Sequence, residues 1–145
     1  MKNLFVAVVL LFYFTQNTHV FAFLVHYDAY IVNSLPSNNP KLTIHIFSGD
    51  DDLGFHDLLV NQQFHWDFTS AAFDRTKFYG SFQWGQKNRG FAVYDWKLAN
   101  DHCGFQAQNN VCWWVVKEDG FYLANKTNPS PKELVYMNWW LPHDT

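Results

Sequence analysis

The sequence predicts an all-β fold: one small antiparallel β-sandwich of about eight strands, with little helix. Three observations carry this. Apolar residues alternate with polar ones at period two in run after run, as a sheet with one buried face requires. Clusters of Gly, Pro, Asn and Asp break those runs at short intervals. Beyond the N-terminal segment, no stretch keeps a helical period long enough for an ordinary helix. Phe, Trp and Tyr make up 20% of the 145 residues and charged residues only 16%, the reverse of a disordered composition. Large rings also give a thin two-layer fold the core area it needs.

Residues 1–22 read as a secretory signal peptide. Lys2 supplies the basic start, residues 4–14 an unbroken apolar run, and Val20 and Ala22 the cleavage positions. The run falls short of the roughly 20 apolar residues that span a bilayer. Polar Thr15, Gln16, Asn17, Thr18 and His19 follow it, so the segment is read as a leader and residues 23–145 as a single domain. Strand candidates follow in order. After a first run at 25–33 and a break at Pro36 and Pro40, residues 41–47 place Leu42, Ile44 and Ile46 on one face and Thr43 and His45 on the other. An acidic stretch at 48–52 comes next, then a short helical turn at 55–60. In 62–69, Phe64, Trp66 and Phe68 alternate with His65 and Asp67; in 77–84, Phe78, Phe82 and Trp84 share a side. Gly85 and Gly90 bound a polar hairpin tip before the run at 91–96. Residues 97–102 form a polar loop, and 111–117 is apolar on both faces, as a central strand can be. Glu118-Asp119-Gly120 signals a tight turn into a strand at 120–124, and Pro129 and Pro131 separate it from a last run at 133–140.

Charge and cysteine content exclude several function classes. A net charge of −3, a pI near 6.1 and the lack of a Lys/Arg run argue against nucleic acid as partner. Two cysteines are too few for a Cys-rich zinc module or a dense disulfide scaffold. Outside the cell they meet an oxidising medium, and an intramolecular bond, if one forms, joins Cys103 to Cys112.

Several features in order then resemble one family. They are Val32-Asn33 with Leu42-Thr43-Ile44-His45; Ser48-Gly49-Asp50-Asp51-Asp52-Leu53-Gly54 with His56; Phe73 with Thr76-Lys77-Phe78 and Ser81-Phe82-Gln83-Trp84; Phe91-Ala92-Val93-Tyr94; and Cys103, Cys112-Trp113 and Asp119-Gly120-Phe121-Tyr122. Together, over roughly residues 27–140, the set resembles the plant self-incompatibility proteins, or S-protein homologues. The resemblance implies a small secreted β-sandwich acting as a recognition ligand through a membrane receptor on a target cell. It also implies two further cysteines, whose places fall here on Ile46 and on Tyr79 or Gly80; if those two are bonded in relatives, both ends were lost together.

Candidate chemistry is sparse. Asp50-Asp51-Asp52 lacks the ligand spacing and closing Glu of an EF-hand, and is read as a solvated turn or an acidic receptor-contact patch rather than a metal site. His45, His56 and His65 lack metal-ligand spacing and are read as exposed or edge residues. No nucleophile motif is present; His102 precedes Cys103, a half-cystine candidate, and Glu118 and Glu133 are the two glutamates, both at turns or strand starts. No catalytic residue, metal or cofactor is therefore expected. Receptor contacts are expected from polar loops, chiefly Asp50, Asp51, Asp52, Lys87 and Arg89, with 97–102. Asn125-Lys126-Thr127 is an N-glycosylation sequon. Trp113-Trp114 and Trp139-Trp140 are adjacent pairs; both faces are read as covered, and the alternative is an exposed aromatic surface of a carbohydrate-binding module.

Overall fold

A computed structural model describes residues 2–16, 23–71 and 75–142, with only the backbone for 11–16. The expected cleavage positions, Val20 and Ala22, and the family-like Phe73 lie outside the described residues. An N-terminal helix, α1 (Lys2–Gln16), leaves Leu4, Phe5 and Val6 exposed and adds no residue to the core. No described helix is long and apolar enough to cross a membrane.

The domain is a sandwich of two five-stranded sheets. Its strands are β1 (Leu24–Asn33), β2 (Leu42–Ser48), β3 (Asp52–Leu58), β4 (Gln63–Ala71), β5 (Phe78–Trp84), β6 (Lys87–Tyr94), β7 (Asn110–Lys117), β8 (Gly120–Ala124), β9 (Val135–Asn138) and β10 (Leu141–Pro142). One sheet runs β4-β1-β7-β8-β9 and the other β10-β6-β5-β2-β3. Every pairing is antiparallel except β1 with β7, which makes the first sheet mixed.

Alternation dictates what is buried. In β1, Val25, Tyr27, Ala29 and Ile31 face inward, and in β2 Leu42, Ile44 and Ile46. Rings interlock between the layers: Tyr27 on Tyr94, Phe68 on Phe78, Phe82 on Phe121 and Phe91 on Trp114. Strand β7 is buried on both faces, as its composition predicts. Cys112, Trp114 and Val116 enter the main core, while Trp113 and Val115 lie under Tyr30, Val32, Tyr122 and Leu134 on the outer face. Two buried asparagines latch the loops. Asn33 donates from Nδ2 to Leu58 O (2.8 Å) and accepts from Leu35 N–H (2.9 Å). Asn110 bonds to His26 O (2.9 Å) and to both backbone groups of Gln106.

Four expectations are corrected. Residues 55–60 are not a helical turn: β3 takes in 55–58 and pairs with β2, and 59–62 turn into β4. Residues 97–102 are not a loop but most of α2 (Trp96–His102), capped by Asp95, whose carboxylate accepts from Leu98 N–H at 2.8 Å. The β5–β6 tip is only Gly85-Gln86, so Lys87 and Arg89 sit on strand β6 rather than in a loop. Residues 133–140 are no single strand: a 3-10 turn (Pro131–Glu133) precedes β9, and β10 then crosses to the other sheet.

Candidate functional site

The topology sorts the loops onto two ends. The β2–β3 turn, segment 75–77, α2 and the bend after β8 lie at the end defined by Ser48, Phe78 and Tyr94. The tips of β5–β6 and β7–β8 lie at the end defined by Leu42 and Trp84. Asp50, Asp51 and Asp52 are therefore at the opposite end from Lys87, and the five proposed contact residues do not form one surface.

The acidic turn is internally braced. Ser48 N–H donates to Asp51 O (2.6 Å), and Asp51 N–H donates to Ser48 Oγ (3.0 Å). Asp52 turns back into the sheet: its Oδ1 accepts from Gly54 N–H at 2.8 Å and lies 2.8 Å from His45 Nε2. Those contacts, the Gly54 amide first and His45 second, hold its carboxyl below the usual carboxylate range. Asp52 thus ties β3 to β2, while the exposed Asp50 and Asp51 are left to face outward. A depression of about 400 Å³ separates this turn from segment 75–77, lined by Ser48, Asp50, Arg75, Lys77 and Tyr79. A second, of about 450 Å³, lies between the same segment and the start of α2, with Asp95 and Lys97 on its wall. Arg75 and Lys77 were not read as site residues in the sequence because they are isolated cations; only the fold sets them beside Asp50.

Lys87 and Arg89 are held by rings. The Lys87 ammonium lies 5.1 Å from the centre of Trp84, and the Arg89 guanidinium 4.6 Å from that of Trp139. Arg89 also donates to Asn138 Oδ1 at 3.3 Å. Trp140 is packed on Trp84 and Phe121 and donates to Lys117 O, which leaves Trp139 as the exposed ring of its pair. The pair Trp113-Trp114 is buried.

His45, His56 and His65 each have their own ring neighbour. His45 stacks on Phe55, His56 on Phe64, and His65 on Tyr30 beside Asp28. Among the described residues, no group of three or more His, Cys, Asp or Glu side chains is placed to hold a metal ion. Cys103, at the C-terminus of α2, and Cys112, on β7, form a buried disulfide. Asn125 is exposed just past β8, in a loop clipped by the Lys126–Glu133 ion pair.

Four carboxyls are held below their usual range: Asp52 as above, Asp57 by Lys41 and Thr43, Asp101 by Lys97, and Glu133 by Lys126 and the Ser130 amide. The unfolded chain takes up these protons first as pH falls. Their contribution is therefore present above the ordinary carboxylate range, about 4, and is lost below it. Thermal melts should hold a steady midpoint from pH 7 to about 5 and fall below about 4. A midpoint that rises on acidification would contradict the pairing described.

Comparison with known proteins gives consistent matches. Residues 28–139 match the family model described as plant self-incompatibility protein S1. The chain is similar to S-protein homolog 5 of Arabidopsis thaliana, 36% identical over 81 residues, 56% of this chain and 59% of that protein. It is similar to S-protein homolog 29 of the same plant, 30% identical over 120 residues, covering 83% and 84% of the two chains. A solved structure of a self-incompatibility protein homologue, from a family described as small, highly stable, secreted plant proteins, superposes with a TM-score of 0.60. It is 17% identical and covers 80% of this chain and 95% of its own.

Proposed function

Because this chain belongs to the plant self-incompatibility S1 family, we propose that it is a secreted, non-catalytic recognition ligand that acts through a receptor on a cell surface. The match over residues 28–139, nearly the whole sandwich, carries the reading. A leader-like N-terminus and a disulfide suited to an oxidising medium support it.

The receptor contacts come from the end that carries the β2–β3 turn. Asp50 and Asp51 are exposed there, in a turn that the two Ser48–Asp51 hydrogen bonds fix before any partner arrives. Asp52 belongs to the scaffold and Lys87 to the far end, so neither is part of this surface. Asn125 shares the end but lies at the β8–β9 side of the sandwich, away from the β2–β3 edge. A glycan there leaves the acidic turn uncovered.

Binding of the labelled protein to plant cell membranes tests this. The double variant Asp50→Asn with Asp51→Asn is expected to bind about tenfold more weakly, while Lys87→Gln binds as the parent does. Unchanged binding by the double variant would remove the turn from the contact surface.

A further inference from the structure

Along the edge where β9 gives way to β10, apolar and cationic groups alternate. Val135, Tyr136, Trp139 and Leu141 are all exposed, Trp139 by 53% and Tyr136 by 50%. Three cations lie on rings at this edge: Arg89 on Trp139 (4.6 Å), Lys87 on Trp84 (5.1 Å) and Lys117 on Tyr122 (4.7 Å). Direct contacts join them into one surface. Trp84 packs on Trp140, Trp140 donates to Lys117 O at 2.8 Å, and Tyr122 meets Tyr136 edge-on at 5.3 Å.

Unpaired cations are concentrated at this edge, although Lys77, 5.4 Å from the centre of Tyr79 at the other end of the sandwich, is also without an ion pair among the described residues. Lys41, Lys97 and Lys126 each pair with a carboxylate. Among the described residues, Lys87, Arg89 and Lys117 have no carboxylate within ion-pair distance. The nearby acids are Glu118 and Asp119 of the β7–β8 turn, and Asp119 accepts the Tyr122 hydroxyl at 2.7 Å. Arg89 donates from Nη2 to Asn138, and its Nε is buried without a partner, so the outer part of the guanidinium is what the edge presents. The surface thus offers open ring faces interleaved with cations that lack a counter-ion.

From this juxtaposition we infer that the β9–β10 edge binds an acidic polysaccharide of the polyuronate type. The flat C–H face of each sugar stacks on Trp139 or Tyr136, and the carboxylates pair with Lys87, Arg89 and Lys117. A lipid headgroup surface fits less well. Polybasic lipid-binding segments use clusters of about four to eight cations, and only the three cations on rings lie here, spaced between aromatic faces. The inference does not depend on the receptor surface, which lies at the other end of the sandwich.

Calorimetric titration of the full folded protein with oligogalacturonates and with their methyl esters, which keep the ring and lose the charge, tests it. The acid form is expected to bind and the ester to bind at least tenfold more weakly, with a further loss of about tenfold as salt rises from about 0.05 to 0.5 M. The triple variant K87Q/R89Q/K117Q should weaken binding about 10- to 100-fold and W139A about fivefold, while K41Q, which removes a paired cation from the opposite edge, leaves it unchanged. Near-UV circular dichroism shows that each variant is folded. Equal binding of acid and ester, binding of neither, or parental binding by the folded triple variant would overturn the proposal. So would equally tight binding of poly-aspartate or of anionic vesicles, which would give the edge to another class of partner.

Discussion

Trp114→Ala is expected to destabilise the protein by about 3–5 kcal/mol. Trp114 is 1% exposed, on the central strand of its sheet, and packs on Phe91 of the facing layer at 5.1 Å between ring centres. Removing it empties the middle of the sandwich, where strands held on both sides cannot collapse into the space. The indole also donates to Val93 O at 2.9 Å, so the variant leaves a buried carbonyl without that donor. Against a total of about 5–15 kcal/mol, this is a large share of the stability. Urea unfolding should show a much lower midpoint with little change in slope. A loss below about 1 kcal/mol would mean that the two layers are not packed through this ring.

Removing the disulfide by Cys103→Ala with Cys112→Ala should cost about 2.7 kcal/mol from chain entropy alone. The bond closes a small loop, with a sequence separation of 9, so it restricts the unfolded chain less than a long-range bridge does. Its place adds to its effect. Cys103 ends α2 and Cys112 lies in the core of β7, so the bond fastens the helix to the central strand. The seven-residue α2 is too short to be stable alone. Hydrogen exchange in α2 is expected to quicken more than in β2 or β5. A uniform change across the domain would show that the bond acts only on the unfolded state.

The strands that one face buries were legible in the sequence. Leu42, Ile44 and Ile46 alternate, and the fold buries all three. Strand β3 was not, because Gly54 takes a positive φ of 82° and the pairing with β2 shifts register between His45 and Phe47. Both interrupt the period-two pattern, and Phe55 is left exposed on the outer face. Helix α2 was too short to show a period; its signals were the Asp95 cap and the Lys97–Asp101 pair four residues apart. The parallel pairing of β1 with β7 has no local signature, since it joins segments far apart in the chain. The two places where the resemblance implies further cysteines have a physical reading here. Ile46 and Gly80 are cross-strand partners, and a Cβ on Gly80 would lie 2.7 Å from both Phe82 and Val93, so Ile46 fills the space over a residue that must stay small.

Site residues were legible in part. Asp50 and Asp51 lie in an exposed turn, as their composition suggests. Asp52 is indistinguishable from them in sequence and becomes structural because His45 stands next to it. Lys87 and Arg89 look like loop cations between two glycines. Yet the hairpin turns on Gly85-Gln86 alone, so both belong to strand β6, which starts at the end opposite the acidic turn and sets them on tryptophans.

If the folded sandwich works as proposed, by binding a surface receptor, its binding to membranes is saturable and depends on membrane protein. An equilibrium isotherm of the intact protein on plant cell membranes, taken before and after mild protease treatment of those membranes, tests it most directly. Saturable binding that the treatment abolishes is the expected result. Binding that rises linearly with concentration and survives the protease would contradict it.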